Sequence, residues 1–483
     1  MVKRSLCIGL AVAALLSGCS LAPVYRVPPT AMPTAFKESG NWQLAKPADR
    51  IPRDAWWSVY RDPMLDQLES QVAKANPTVA AAVARHDEAM DYLDVQRSGL
   101  FPTIGAGAQV QRDRQSDNRP LRGGGEPDVY DADTLDVSLN YDVDLWGRVR
   151  NEVAAGKAAA QASADDLASV RLSLQASLAN AYFDLRGLDE QQRLLADTIK
   201  TYQRALQLTE SRHAGGIASD LDVSRAQTQL ESAQAQAEDV KAHRALYEHA
   251  IATLIGVPAS NFSLAPDTAA AYLPSVPAGI PAALLQRRPD IAAAERRVAQ
   301  ANAKIGVAKA AFFPDLSLGL DGGYQSDTFS PWIAAPNEIW SIGPNLVATL
   351  FDGGLREALT QHARAKLAEN GAQYKETVLQ AFQQVEDNLA LEHHLGDEAA
   401  RESEALESAR RTLKLSMSRY RDGVVSYLEV VTAQTTELQT EIVDLNLNTQ
   451  RLVASVGLIE ALGGGWTADG RPAAQSLHPA SSA

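Results

Sequence analysis

The sequence predicts a mainly α-helical chain with four amphipathic β-strands, built from two tandem repeats. Three observations predict this fold class: a stretch of about 210 residues that occurs twice, long heptad patterns, and four segments of alternating apolar and polar residues. Helices as long as these heptad patterns cannot be buried in a compact globule. We therefore expect each repeat to contribute an extended helical hairpin and a pair of strands.

The composition excludes several classes of protein before any motif is considered. The chain has 483 residues, with 45 Lys and Arg against 59 Asp and Glu, and a formal charge of −14. An acidic chain without a basic cluster does not bind nucleic acid, because its surface repels phosphate. Its two cysteines cannot form a disulfide framework or a cysteine-rich metal site.

Residues 1–18 are typical of a secretory signal peptide, since a short apolar stretch follows Lys3 and Arg4. The stretch ends in Leu16-Ser17-Gly18-Cys19, which resembles a bacterial lipobox. That resemblance implies cleavage before Cys19, which would carry N-acyl and S-diacylglycerol lipid, and Ser20 after it favours the outer membrane. The alternative is an ordinary signal peptide with an incidental cysteine. No later window has the 18 consecutive apolar residues of a transmembrane helix.

The duplication is visible as residues that recur at constant offsets. Pro77 to Ala82 returns as Pro289 to Ala294, and Phe101-Pro102 returns as Phe313-Pro314, both at an offset of 212 residues. Farther along, an offset of 207 relates two longer segments, residues 212–227 and 419–434. Chance similarity between two Ala-rich helices would not keep Gly, Pro and Arg in register over such distances. The two copies are therefore collinear repeats.

Heptad patterns predict the long helices of both repeats. They cover residues 167–206, 230–254 and 438–459. Polar residues interrupt the first two patterns at Gln192 and Arg244. A single helix over residues 150–213 would be roughly 95 Å long.

Four strand signals lie between the helices, at about 101–113, 134–145, 315–325 and 339–351. In the clearest one, Leu135, Val137 and Leu139 alternate with Asp136, Ser138 and Asn140. Each run has about 10 residues, the length of a membrane-spanning strand.

Two separated strand pairs would make a poor soluble sandwich, which is the alternative to a membrane sheet. In a bilayer, four strands cannot stand alone with unpaired edges, so several chains must pool their strands. Two chains would give eight strands and a filled interior, whereas three would give twelve strands and the beginning of an aqueous lumen.

Four motifs stand out in the chain: Trp56-Trp57-Ser58-Val59-Tyr60-Arg61-Asp62-Pro63, Asn76-Pro77, Asp144-Leu145-Trp146-Gly147-Arg148 and Leu350-Phe351-Asp352-Gly353-Gly354. Together they resemble the motifs of the TolC-like outer-membrane efflux proteins, above all the lipidated NodT-type members that serve resistance-nodulation-division pumps. The resemblance implies a homotrimer: a 12-stranded barrel in the outer membrane, continued by a 12-helix periplasmic tunnel. It also implies a passive exit duct that works with a periplasmic adaptor (membrane fusion protein) and an inner-membrane pump.

The chain then divides into six segments. After the signal come a lipidated N-terminal segment (19–62), the first repeat (63–258), an equatorial linker (259–280), the second repeat (281–465) and a disordered tail (466–483). Each repeat contains a helix reversal, at about 213–219 and 420–426.

The helix reversals are the candidate functional sites. By the family resemblance, Asp222, Tyr420 and Glu429 would close the tunnel and attract cations, and Gly216, Ser219, Gly423 and Ser426 would contact the adaptor. The alternative for the acids is simple helix capping, because acids after a serine N-cap suit the helix dipole. The chain has Val425 where some relatives have a second closing arginine, a role that Arg421 could take.

No motif indicates bond-making chemistry, a metal or a cofactor other than the lipid on Cys19. The pair His393-His394 beside Glu392 lacks the spacing of a helical metal site, which favours a solvated helix face. The main alternative to an outer-membrane duct is a periplasmic coiled-coil adaptor or structural lipoprotein. Adaptors usually have one hairpin, whereas this chain has two tandem copies of hairpin and strands.

Overall fold

The computed structural model describes residues 20–30, 33, 35–39, 55–116, 118, 128–269, 271–274, 287–328 and 331–464. The signal peptide, Cys19, the end of the equatorial linker and the tail from residue 466 lie outside the described residues.

Seven α-helices and four β-strands are described. The helices are α1 (Pro63–Ala75), α2 (Pro77–Ser98), α3 (Arg148–Ala214), α4 (Asp220–Leu254), α5 (Pro289–Ala310), α6 (Leu355–Arg421) and α7 (Tyr427–Ala461). The strands are β1 (Thr103–Arg114), β2 (Val129–Val143), β3 (Asp315–Ser326) and β4 (Glu338–Val347). At 67 residues each, α3 and α6 are about 100 Å long.

The chain divides into two compact units. Of the described residues, those within 1–28, 85–163 and 293–374 form the sheet unit, and those within 29–84, 164–292 and 375–483 form the hairpin unit. Among the described helices, none combines the length and the apolar character needed to cross a membrane.

The sheet unit contains one antiparallel sheet with the strand order β1-β2-β3-β4. Its register aligns the apolar residues across all four strands, as in the row Ile104, Leu139, Leu320 and Ile342. A polar row is formed by Ser138, Asp321 and Ser341, in which Ser341 Oγ donates to Asp321 Oδ2 at 3.3 Å. The sheet therefore has one apolar face and one polar face.

Both outer strands of this sheet have an open edge within the described chain, since β1 pairs only with β2 and β4 only with β3. Trp340 on β4 is 74% exposed, and Leu350 just beyond the strand is 93% exposed. Rows of unpaired backbone groups on exposed edges favour pairing with another chain.

The hairpin unit is built around a core of aromatic and aliphatic side chains. Trp56, Tyr60 and Phe183 are almost fully buried, and the rings of Tyr60 and Phe183 lie 4.8 Å apart. The Trp-rich segment, which forms a short 3-10 helix over Trp56–Tyr60, is thereby held against the hairpin helices. This packing explains why the segment is rich in aromatic residues.

The polar interruption at Arg244 is part of a buried ion network. Arg244 Nε donates to Asp189 Oδ1 at 2.6 Å, and Arg186 Nη1 donates to Asp189 Oδ2 at 2.8 Å. Asp189 is 2% exposed and also accepts a bond from the backbone N–H of Asp267 in the linker. The network fastens the linker to the first hairpin, α3–α4.

The two repeats make the same contacts at equivalent positions. Asn76 Nδ2 donates to the Leu254 carbonyl at 2.7 Å, and its counterpart Arg288 donates through Nη1 to the Ala461 carbonyl at 3.1 Å. A Cβ atom on Gly256 would collide with the Ala75 carbonyl, as one on Gly463 would with that of Arg287. Both glycines have positive φ values, of 73° and 92°. The duplication is therefore a repeat of contacts as well as of residues.

Candidate functional site at the helix reversals

The two helix reversals have the same backbone geometry. In the first, Gly216 has φ 73°, its N–H bonds to the His213 carbonyl, and the Ile217 N–H bonds to the Arg212 carbonyl. In the second, Gly423 has φ 76° and the corresponding bonds run to Tyr420 and Arg419. This is the Schellman pattern, in which a left-handed glycine ends the helix. Each reversal then starts its second helix with a serine, Ser219 or Ser426, at the N-cap.

The acids that follow these serines differ in what they contact. Asp222 forms a capping box: Ser219 Oγ accepts from the Asp222 N–H, and Asp222 Oδ2 accepts from the Ser219 N–H at 3.3 Å. Glu429 lies 3.8 Å from Arg419 instead, and Ser426 makes no side-chain cap bond. The side chain of Asp222 is 17% exposed, whereas that of Glu429 is 51% exposed. Capping therefore accounts for Asp222 but not for Glu429.

An arginine joins the two reversals. Arg212, at the end of α3, donates through Nη1 to the Tyr420 carbonyl at 2.7 Å and through Nη2 to the Arg421 carbonyl at 3.2 Å. Its guanidinium also lies 4.7 Å from the centre of the Tyr420 ring. The positive charge meets the negative end of the α6 dipole, so the contact is electrostatically favourable.

Tyr420 lies in a small apolar cluster with Tyr427, Ala226 and Val430. The rings of Tyr420 and Tyr427 are 5.3 Å apart, and burial raises the pKa of Tyr427 to about 12, with smaller contributions from neighbours that include Tyr420 and Asp222. Tyr420 is 6% exposed, and its hydroxyl has no hydrogen-bond partner in the described part of the chain. The structure thus places Asp222 and Tyr420 in the same region, without a hydrogen bond between them.

The sequence interpretation missed two features of the reversals. One is Arg212, whose signal was a repeated arginine just before each turn. The other is a pair of exposed apolar residues at each turn: Ile217 and Leu221 in the first, Val424 and Leu428 in the second. These pairs are related by the offset of 207 residues, which was the signal available in the sequence.

The positions predicted to contact an adaptor are accessible. A Cβ atom added to Gly216 or Gly423 would meet nothing within 4 Å. Ser219 and Ser426 are both exposed. Among the described residues, no group of three or more His, Cys, Asp and Glu side chains could hold a metal ion. His393 lies 3.9 Å from Asp397, one turn along α6, and neither His393 nor His394 belongs to such a group among the described residues.

Comparison with known proteins identifies the family. The family model described as "Outer membrane efflux protein" matches residues 68–257 and 280–464. The chain belongs to the outer membrane efflux protein family. It is 31% identical over 456 residues to the toluene efflux pump outer membrane protein TtgC of Pseudomonas putida, covering 94% of each chain. It is 32% identical over 468 residues to the pyoverdine export outer membrane protein OpmQ of Pseudomonas aeruginosa, covering 94% of this chain and 97% of the relative.

The fold of this outer membrane efflux protein is also found in solved structures. The open state of the Neisseria gonorrhoeae MtrE outer membrane channel matches with a TM-score of 0.81 and 27% identity, over 92% of this chain and 98% of MtrE. The predicted family and fold class are therefore confirmed. The protein is a transport duct of the outer membrane for efflux and not an enzyme, and the alternative of a periplasmic adaptor or structural lipoprotein is wrong.

Proposed function

We propose that this outer membrane efflux protein is the exit duct of a tripartite pump, passively conducting drugs or other small toxic compounds to the exterior. A periplasmic adaptor and an inner-membrane resistance-nodulation-division pump would supply the substrate and the energy. The relatives named for toluene efflux and pyoverdine export support a duct for small molecules. A wide polar lumen discriminates mainly by size and charge, so substrate choice would belong to the pump.

The observation that carries the proposal is the four-stranded sheet with one apolar face, one polar face and, within the described residues, two open edges. Such a sheet is stable in a bilayer only if other copies pair with both edges. Three copies would close a barrel of twelve strands whose apolar face meets lipid and whose polar face lines a lumen. The mass of the detergent-extracted protein, measured by light scattering with the detergent subtracted, should equal three chains. A mass of one or two chains would contradict the trimer.

A lipid on Cys19 would fix the N-terminal segment beside the membrane. The segment packs within the sheet unit: Ser20 Oγ donates to Asn151 Oδ1 at 3.0 Å, and Asn302 Nδ2 donates to the Pro23 carbonyl at 2.8 Å. Asn151 lies in the first turn of α3, a few residues after β2 ends. Ser20, the first described residue, therefore lies near the end of the sheet, and a lipid on the residue before it could enter the bilayer. Radiolabelled palmitate should enter the wild type but not Cys19→Ala, and equal labelling would contradict this assignment.

The adaptor would dock on the reversals. Each reversal exposes two apolar side chains beside an unobstructed glycine, Ile217 and Leu221 near Gly216, and Val424 and Leu428 near Gly423. An exposed apolar patch next to a glycine suits the close approach of another helical hairpin. Leu221→Asp and Leu428→Asp should each abolish efflux in cells while leaving trimer mass and conductance unchanged. Efflux at wild-type levels in both variants would contradict docking at this place.

The reversals would also form the closing contacts of the tunnel. Tyr420 has a buried hydroxyl without a partner in the described chain, and Asp222 is held in its capping box by Ser219 and lies 3.6 Å from Arg225. The capping box uses only Oδ2 of Asp222, so a bond from the Tyr420 hydroxyl would go to Oδ1. If the bond forms in the closed state, Tyr420→Phe with Asp222→Asn should raise single-channel conductance. Unchanged conductance would leave capping as the role of Asp222.

A further inference from the structure

We propose that Arg419 clamps the end of helix α3 in a neighbouring copy of this chain by donating to the backbone carbonyls of His213 and Ala214 there. The inference rests on the proposed trimer and names a contact between its subunits. It follows from the way in which contacts recur between the two repeats.

Contacts within one repeat have counterparts within the other. The bond from Asn76 to the end of α4 has its counterpart in the bond from Arg288 to the end of α7, although the residue types differ. Contacts between the first and second repeats cannot recur in this way inside one chain. Their counterparts join the second repeat to the first repeat of another copy.

The bond from Arg212 to the end of α6 is a contact between repeats. Adding the offset of 207 residues converts Arg212 into Arg419, and subtracting it converts Tyr420 and Arg421 into His213 and Ala214. Both reversals share the same glycine conformation and the same turn hydrogen bonds, so the backbone of Arg419 occupies the same position in its turn as that of Arg212. The acceptors are the last carbonyls of α3, where the helix dipole attracts a cation.

The observed bond between Arg212 and Tyr420 is partly buried, whereas the equivalent residues at the proposed contact of Arg419 are exposed within one chain. Tyr420 is buried beneath Arg212, whereas its counterpart His213 is exposed. The side chain of Arg419 is 57% exposed, and Glu429, at 3.8 Å, is its ion-pair partner in the described chain. An exposed pair at this distance is weak, so Arg419 is available to a better acceptor.

A second contact between the repeats gives the positions for a direct test. Gln229 Nε2 donates to Thr435 Oγ1 at 2.6 Å, which joins α4 to α7. The same offset converts this pair into Thr436 and Thr228 of a neighbouring copy. Gln229 and Thr435 form a half-buried contact, whereas Thr228 and Thr436 are both exposed.

The experiment is disulfide cross-linking in outer membranes, before extraction. Thr228→Cys with Thr436→Cys should give covalent dimers and trimers on a non-reducing denaturing gel after mild oxidation. The matched control, Gln229→Cys with Thr435→Cys, should form its disulfide within one chain and migrate as a monomer. Adding Arg419→Ala should slow the cross-link between copies several-fold and leave the control disulfide unaffected.

The possible failures can be told apart. The repeat rule is the inference that a contact between the two repeats of one chain recurs between neighbouring copies. If the protein is a conducting trimer but Thr228→Cys with Thr436→Cys remains monomeric, the repeat rule and the Arg419 clamp are both overturned. If that cross-link forms at the same rate with and without Arg419→Ala, the clamp alone is overturned. Loss of the trimer mass in the wild type would overturn the proposed function itself.

Discussion

The guanidinium of Arg212 lies against the end of helix α6, 2.7 Å from the Tyr420 carbonyl and 4.7 Å from the centre of the Tyr420 ring. Arg212 thus joins the two hairpins of one chain at their helix reversals. The Tyr420 carbonyl also accepts the turn bond from the Gly423 N–H, so Arg212 adds a second donor there and supplies one to the Arg421 carbonyl at the end of α6.

Loss of Arg212 should loosen the reversals. Hydrogen bonds to a charged group contribute about 1.5–3 kcal/mol each, so Arg212→Ala should increase amide hydrogen exchange around residues 417–424 and raise mean conductance. Arg212→Lys should give a partial effect, because an ammonium group cannot serve both carbonyls with the geometry of a fork. The control is Arg411→Ala, which removes an exposed arginine from α6, the helix whose end Arg212 binds. Exchange no faster than in that control would contradict the role of Arg212.

Buried Glu69 should make the protein less stable as the pH rises. Burial raises its pKa to about 9, and Asp66 adds to the effect, whereas the unfolded chain has a value near 4.5. Between these values the folded state keeps a proton that the unfolded state releases, so stability falls with increasing pH, by on the order of 3 kcal/mol per chain at pH 7.

Replacing Glu69 tests this directly. Glu69→Gln should have a higher Tm than the wild type at pH 8 and a smaller change in Tm between pH 5.5 and pH 8. The matched control is Glu88→Gln, an exposed carboxyl on the neighbouring helix α2, which should leave the pH dependence nearly unchanged. The assignment fails if Glu69→Gln keeps the slope of the wild type.

Asp189 should be essential to the hairpin unit. It binds both Arg186 and Arg244 in a buried network, so Asp189→Asn would leave two guanidinium groups without their shared charge partner. Breaking a buried pair costs about 3–5 kcal/mol, whereas an exposed pair contributes about 0–1 kcal/mol. Asp197→Asn, which removes the exposed pair with Lys200, is the control. Thermal unfolding of the two variants should differ widely, and equal Tm values would show that the network is not stabilising.

Glu429 should determine cation preference more strongly than Asp222. The side chain of Glu429 is half exposed, whereas Asp222 is bound to Ser219 and lies beside Arg225. A field from exposed acids raises the local concentration of cations. The reversal potential in a salt gradient should therefore shift more for Glu429→Gln than for Asp222→Asn. Equal shifts, or a larger one for Asp222→Asn, would contradict this ranking.

The repeat rule also sets the register between subunits in the membrane sheet. The pairing of β2 with β3, converted by the two offsets, places Asn345 of β4 opposite Gln109 of β1 in a neighbouring copy. Apolar Leu346 then faces Ala108, so both faces of the sheet continue across the boundary. Asn345→Cys with Gln109→Cys should cross-link between copies, and Asn345→Cys with Ala108→Cys should not. The reverse result would show a register shifted by one residue.

The sequence predicted the parts of the fold that depend on local periodicity. The alternation at Leu135, Val137 and Leu139 identified β2, and the glycines of the reversals identified both turns. The start of β2 is less visible, because Val129–Asp133 lack the alternation and become a strand by pairing with residues 110–114 of β1. Where β2 begins therefore depends on its pairing with β1, and the periodicity of the β2 segment alone gives no information about that partner.

The contacts of the candidate site were less predictable, because they join residues far apart in the sequence. In the sequence Arg244 only interrupts a heptad pattern. Its role becomes clear in the structure, where it binds Asp189, 55 residues earlier in the chain. Arg212 meets Tyr420 only because the two hairpins present these helix ends to each other. Asp222 satisfies both the capping pattern and the family pattern, and only the geometry shows that its bonds in this structure go to Ser219.

Several copies of this chain should form a gated aqueous duct, and conductance across a planar lipid bilayer tests this most directly. The purified protein, with its oligomer mass determined on the same sample, should be a trimer that gives small, cation-selective, gated current steps. A monomer or dimer that carries no current under any applied voltage would contradict the duct.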